Sequence, residues 1–394
     1  MLFTTSPLTG HFRPMLPLLR AASAAGHQVV VATGPDLVGE VQRRGYQTWS
    51  IGPAARETGS ELRSSPPSED AAEQFARSAS VLFGRPGVAR ARDALPRAAH
   101  WAPDVVVHSL TEVAGAEVAA RTGALEVVFG PTGEVRGPQD MLPLVTAELA
   151  ASLGTPDRCA EILAAPYLDP RVPGLATDRP TGFANVLPVR PALEDPMYRL
   201  PLRVQRFDDQ PTVLLSLGRH SARSDLLSTV LEGVSDFRIN LLVETGPAIN
   251  RFGLGQISRN VAVGQVIDYA RALPLCTAVI ADASAELTVG ALCSGLPMVN
   301  LPGGGSQLVT AHRVSRLGAG ITVLPGRLTP GAVRRALADL FADSAYAVAA
   351  EAQQAAITAL PTAAEVLSEL TVTDPAGLAR DALGGFRAAV PPAR

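Results

Sequence analysis

The chain has 394 residues, 47% hydrophobic and 18% charged, which is long enough for two packed cores and too apolar for whole-chain disorder. Its formal net charge of −3 supplies no overall basic field for nucleic acid or anionic lipid. All 34 cations are arginine, so Schiff-base catalysis, PLP attachment, a Walker A lysine and a kinase strand lysine are excluded, and any bound anion falls to arginine, backbone N–H groups, hydroxyls or helix N-termini.

Residues 1–5 form a short apolar run that ends in a turn at Ser6, Pro7 and Gly10. Pro14 then opens an apolar helix pattern that Gly26 stops. The run 27–33 (HQVVVAT) is β-branched without alternation, the mark of a strand covered on both faces, and a polar helix over 36–44 precedes a strand over 46–51. A strand over 104–110 (DVVVHSL), a helix over 111–121 with Gly123 as its stop, and a strand over 124–130 complete the first α/β set. From 131 to about 209 the text is proline-rich and predicts loops, short helices and a linker; the stretches 52–70 and 131–197 follow no readable pattern.

Alternation restarts at Pro211, with strands over 212–217, 240–244, 261–266, 278–281, 298–301 and 320–323. Helices over 224–233, 285–294, 307–317 and 330–341 lie between and after them, and the alanine-rich stretch 344–370 is helical. The expected architecture is α/β: two Rossmann-like, doubly wound parallel-sheet domains facing a cleft, over 1–205 and 206–375, with a segment 376–394 expected to return toward the first. Open α/β sheets bind ligands at the carboxyl ends of their strands, so function is sought in those loops.

Cys159, Cys276 and Cys293 are too few and too scattered for a disulfide framework or a CxxC zinc site and read as small core residues. The six histidines lack HExxH or HxH spacing, so no protein-built metal site is expected. There is no basic, apolar leader pattern and no run of 18 uncharged apolar residues, which predicts a soluble cytoplasmic protein without membrane contact.

His11 sits in the first strand-to-helix loop, where an imidazole is placed to take a proton from a ligand hydroxyl; the alternative is a loop or capping histidine. A base needs an orienting group on its second ring nitrogen, and the loop after 104–110 offers Ser109, Thr111 and Glu112. Ser109 carries no charge, and Glu112 could equally compensate a helix dipole. Arg219 and His220 follow a serine–leucine–glycine turn ending at Gly218 and offer cations for an anion. Gly303, Gly304 and Gly305 before a helix suggest an anion nest. Trp49, Phe83 and Trp101 read as core rather than as a ligand platform.

A set of motifs in fixed order runs along the chain: the GHxxP loop of Gly10, His11 and Pro14, the PDVVVH strand, SLG at 216–218, ETGP at 244–247, LPLC at 273–276, ALCSGLPMVNLP at 291–302 and SQLVTAHRVSRLGAGI at 306–321. In these the chain resembles the antibiotic, macrolide-type branch of the GT-B glycosyltransferases, inverting enzymes that move a sugar from a nucleotide diphosphate to a natural-product hydroxyl. The resemblance implies an acceptor-binding first domain and a nucleotide-sugar-binding second domain. It implies His11 as general base, the nucleobase near Val266 and Ile267, and Gln307 on the donor sugar. The partners it implies are a small-molecule aglycone and a dTDP- or UDP-sugar co-substrate, with no further cofactor and no metal. Self-association or a helper protein is left open, since no helix carries a sustained heptad.

The departures from the family pattern fall on the chemistry. Where the family carries HGGxGT around the pyrophosphate, this chain reads DASAEL, from Asp282 and Ser284 to Glu286 and Leu287. One carboxylate about 5 Å from a phosphate charge at an effective dielectric near 20 costs roughly 3 kcal/mol, against a helix-dipole gain of about 1. Ser109 replaces the usual acidic partner of the base, and Ser306 with Gln307 replaces an Asp-Gln pair. Asp282, Ser284 and Glu286 also suit an ordinary helix start with no ligand. The alternative to sugar transfer is therefore a donor-site-degenerate relative that serves as an auxiliary subunit or small-molecule binder, or that uses His11 for base chemistry on a polyketide-like ligand.

Overall fold

The computed structural model describes residues 1–64, 70–133, 138–176, 182–193, 199–218, 224–246 and 259–372. Its first sheet contains β1 (Leu2–Thr4), β2 (Val30–Thr33), β3 (Gln47–Ser50), β4 (Val105–Ser109), β5 (Leu125–Phe129), β6 (Pro166–Asp169) and β7 (Asn185–Pro188). They lie in the order β3-β2-β1-β4-β5-β6-β7 and every described pairing is parallel. The second sheet contains β8 (Thr212–Ser216), β9 (Asn240–Glu244), β10 (Val261–Gly264), β11 (Ala278–Ala281), β12 (Met298–Asn300) and β13 (Gly320–Thr322). Its order is β10-β9-β8-β11-β12-β13, again parallel. In both sheets the order reverses beside the first strand, which opens a crevice at the strand ends.

The central strands β1, β2, β8, β9 and β11 are buried along their whole length, as unalternated apolar runs require when helices cover both faces. Gly115 shows how close that cover lies: a Cβ there would come within 2.4 Å of His108 Cβ and Thr4 Oγ1, so the Ala114–Thr122 helix reaches β1 and β4 only with glycine at this position.

The proline-rich middle of the chain holds more order than its composition predicts. It contains a helix, Pro138–Leu153, and it adds β6 and β7 to the first sheet. Both strands are four residues long with a proline at one end, and β7 buries only Leu187, so neither carries the long β-branched run that marks a strand covered on both faces.

The alanine-rich C-terminal stretch divides into two helices, Ala345–Thr358 and Ala363–Val372. The second packs Ala363, Val366, Leu367 and Leu370 into the core of the first sheet. Arg190 fastens that crossing, its backbone N–H donating to Pro361 O at 2.7 Å and its Nε to Leu360 O at 2.9 Å. The return to the first lobe thus begins before residue 376, and 376–394 lie outside the described residues. No described helix is long and apolar enough to cross a membrane.

Candidate active site in the cleft

The loop after β1 turns into a short helix, Thr9–Phe12, that carries His11. Thr111 Oγ1 lies 2.8 Å from His11 Nδ1, and Ser6 Oγ lies 3.3 Å from Thr111 Oγ1. Phe83 packs against the core cluster around Val113 and Leu142, as expected, and also stacks on the imidazole at 6.5 Å between ring centroids with 22° between planes. Burial pushes His11 down to about 4, and the nearby Arg90 guanidinium pushes the same way, so the ring is neutral at physiological pH. When Nδ1–H donates to Thr111 Oγ1, the Nε2 lone pair remains to accept a proton.

The expectation that Ser109 or Glu112 partners His11 is corrected here. Ser109 Oγ is buried without a hydrogen-bond partner. Glu112 is fully buried and accepts from Arg90 Nη1 at 2.7 Å, an ion pair in which Arg90 is itself only 1% exposed. Burial raises the Glu112 carboxyl above its ordinary range while Arg90 pulls against it. Of the three neighbouring candidates, the turn after β4 presents Thr111 to the ring.

At the second sheet, β11 leads through Asp282 and a left-handed Ala283 (φ 60°) into the Ala285–Cys293 helix. Asp282 Oδ1 accepts from Ser284 N–H at 2.9 Å and its Oδ2 accepts from Gln307 Nε2 at 2.7 Å. Gln307 Oε1 in turn accepts from Gly303 N–H at 2.8 Å. Gly218 closes the group, since a Cβ there would lie 2.6 Å from Asp282 Oδ2 and its φ of 88° is left-handed. Gly218, Asp282, Ser284 and Gln307 therefore lie together, and the hydrogen bonds of Asp282 and Gln307 are made within this group and to Gly303. Burial raises the Asp282 carboxyl, with the Ser284 and Gln307 bonds opposing. Ser284 is the N-cap residue without a side-chain cap bond, Ser306 is exposed, and Arg219 and His220 lie outside the described residues.

Ile267 is fully buried and Val266 is 40% exposed. The Ile267 N–H donates to Glu244 Oε1 at 2.9 Å, and Glu244 Oε2 accepts from Ser216 Oγ and Tyr269 Oη, each at 2.6 Å. This buried side chain ties the ends of β8 and β9 to the loop after β10; the ETGP motif marked its position, but not these partners.

The two lobes meet through Arg13, two residues after His11. Its Nε donates to Glu40 at 3.0 Å and its Nη1 to Glu286 at 2.8 Å, so the charge expected to repel a phosphate is held by a cation from the opposite lobe. A cleft of about 930 Å³, open solvent included, lies beside this pair. Gly10, Arg13, Pro14 and Thr132 line one wall, and Ile267, Asp268, Tyr269, Ala285 and Glu286 line the other. Sequence reading missed Arg13; its one signal was position, next to a candidate base in a chain without lysine.

Two parallel α/β lobes, each with its own doubly wound sheet, form a GT-B fold. The glycosyltransferase VinC, solved in complex with DTDP, superposes with a TM-score of 0.78 at 20% identity, covering 96% of this chain and 99% of that one. SnogD from Streptomyces nogalater matches with a TM-score of 0.78 at 23% identity over 94% and 98%. The model of the erythromycin biosynthesis protein CIII-like C-terminal domain matches residues 228–372. Elloramycin glycosyltransferase ElmGT from Streptomyces olivaceus is 28% identical over 94% of this chain and 96% of its own length, and 10-deoxymethynolide desosaminyltransferase from Streptomyces venezuelae is 28% identical over 91% and 93%. The chain is similar, along most of its length, to antibiotic, macrolide-type glycosyltransferases. Similarity along nearly the whole length to named transferases favours sugar transfer over the auxiliary-subunit reading.

Proposed function

We infer that the protein transfers a sugar from a nucleotide diphosphate donor, a dTDP- or UDP-sugar, to a hydroxyl of a natural-product aglycone, with His11 as general base. In this reading His11 Nε2 takes the acceptor's hydroxyl proton, the oxygen attacks the anomeric carbon, and the bond to the diphosphate breaks with inversion. Thr111 keeps the proton on Nδ1. The carrying observation is the neutral imidazole bonded to Thr111 at 2.8 Å, one turn of chain from the inter-lobe cleft.

The reading assigns the leaving group's charge to the cleft's own cations and dipoles, with no metal or further cofactor. It also places the enzyme in the cytoplasm, where three free thiols are stable; burial pushes Cys276 and Cys293 up to about 12, which keeps them unreactive.

Turnover of dTDP- and UDP-sugars with a panel of polyketide hydroxyl acceptors tests the assignment. His11→Ala is expected to lower kcat by about 100-fold or more while nucleotide affinity stays near wild type. A fully active His11→Ala protein removes His11 from the mechanism.

A further inference from the structure

One continuous helical stretch runs from Ala71 to Trp101, and its middle is irregular. Ala71–Ala79 and Arg85–Trp101 are α-helical, whereas Ser80–Gly84 forms a single π-helical turn in which Arg85 N–H donates to Ser80 O, five residues back. Such turns are rare and recur at functional sites, because the wider turn re-aims the side chains it carries. Glu148, on the Pro138–Leu153 helix, holds this one at both ends. Ser80 Oγ donates to Glu148 Oε1 at 3.1 Å, and Gly84 lies so close that a Cβ there would overlap Glu148 Oε2. Only glycine at 84 lets the turn sit on its clamp.

The side chain that the turn delivers is Phe83, whose ring stacks on the His11 imidazole with 6.5 Å between centroids and 22° between planes. Arg90 follows seven residues later, two turns along the same helix face, and reaches Glu112 next to Thr111. One helical stretch thus supplies both the apolar cover of the ring and the guanidinium near it. The charges on the elements gathered here are Arg90, paired with Glu112, Arg13 on the ring's own segment, and Glu148 and Arg85 at the turn. Removing the Phe83 ring leaves every one of them in place. Burial is the larger cause that holds His11 at about 4, as an apolar cover over the ring requires.

We propose that Phe83 is a positioning residue for His11: the π turn, clamped by Glu148, lays the phenyl ring over the imidazole, keeps water from that face and fixes the plane in which Nε2 meets the acceptor hydroxyl. Its catalytic use rests on the base role inferred above, whereas the placement of the ring does not.

NMR titration of the imidazole reads the placement, and steady-state kinetics read its use. In Phe83→Ala the His11 titration should rise from about 4 by about one unit or more toward the free value. Its kcat should fall about tenfold while KM changes less than about threefold. Phe83→Leu keeps an apolar cover without the aromatic plane and should lie between wild type and Phe83→Ala in both readouts. Glu148→Ala, which removes the clamp and no hydrogen bond of His11, should shift the titration in the same direction; thermal melting checks that each variant is folded. An unchanged His11 titration in folded Phe83→Ala or Phe83→Leu overturns the proposal while leaving the base role intact. A shifted titration with full activity in His11→Ala overturns the base role, and with it the catalytic use of the Phe83 ring.

Discussion

Thr111 Oγ1 sits 2.8 Å from His11 Nδ1, and this contact engages one ring nitrogen and leaves Nε2 for the proposed base role. A hydroxyl can accept from Nδ1–H while passing its own proton toward Ser6, 3.3 Å away. Unlike a carboxylate, it adds no charge to stabilise the imidazolium that the proposed proton transfer would form.

Thr111→Val removes the hydroxyl at nearly constant volume and frees the ring to adopt either tautomer. The expected result is a fall in kcat of about 10- to 100-fold with little change in KM, and recovery in Thr111→Ser. Steady-state kinetics of the two variants check it, and nitrogen chemical shifts of the imidazole report the tautomer. Equal activity in Val and Ser variants means that the ring is oriented by packing against Phe83 alone.

Acidification gives a second expectation. Free histidine titrates near 6.5, whereas burial holds His11 at about 4. Between those values the unfolded chain carries a proton that the folded chain does not, so this group's stabilisation is complete above pH 6.5 and is lost as pH falls toward 4. Glu112 and Asp282, both raised by burial, tilt stability the other way, so the informative quantity is the difference between wild type and His11→Gln. Melting temperatures from pH 4 to 7 should converge at the acidic end, and the acid limb of kcat should fall near pH 4 rather than 6.5. Parallel melting curves across that range contradict the buried-ring account.

The Arg90–Glu112 pair supplies a third. Both side chains are buried and meet at 2.7 Å, so removing one strands the other's charge. Glu112→Gln should destabilise the protein by about 3 to 5 kcal/mol in urea unfolding, while Arg90→Met with Glu112→Leu should cost far less. The double variant also removes the guanidinium beside His11, and the acid limb of activity should move upward. A mild effect of Glu112→Gln alone means that water reaches the pair.

The site was legible in sequence only where local pattern governs. His11 was readable because a histidine between a strand end and Pro14 has one topological address. Its partner was not, because Ser109, Thr111 and Glu112 all leave the same strand end and the turn after β4 alone decides which faces the ring. β6 and β7 were missed because short strands ending in proline lack the both-face apolar signal. The DASAEL departure was visible as a charge change, yet its local cost was misjudged without the guanidinium that meets Glu286 from the other lobe.

Sequence by itself determined the two parallel sheets and the lysine-free choice of anion ligands, because apolar runs covered on both faces and residue inventory are properties of consecutive positions. Tertiary structure decided the pairings: Thr111 with His11, Glu112 with Arg90, Asp282 with Gln307, and Arg13 with Glu286 across 273 positions of chain. Those contacts depend on how helices and turns pack in space, and no periodicity along the chain encodes which polar atoms will come within 3 Å of one another.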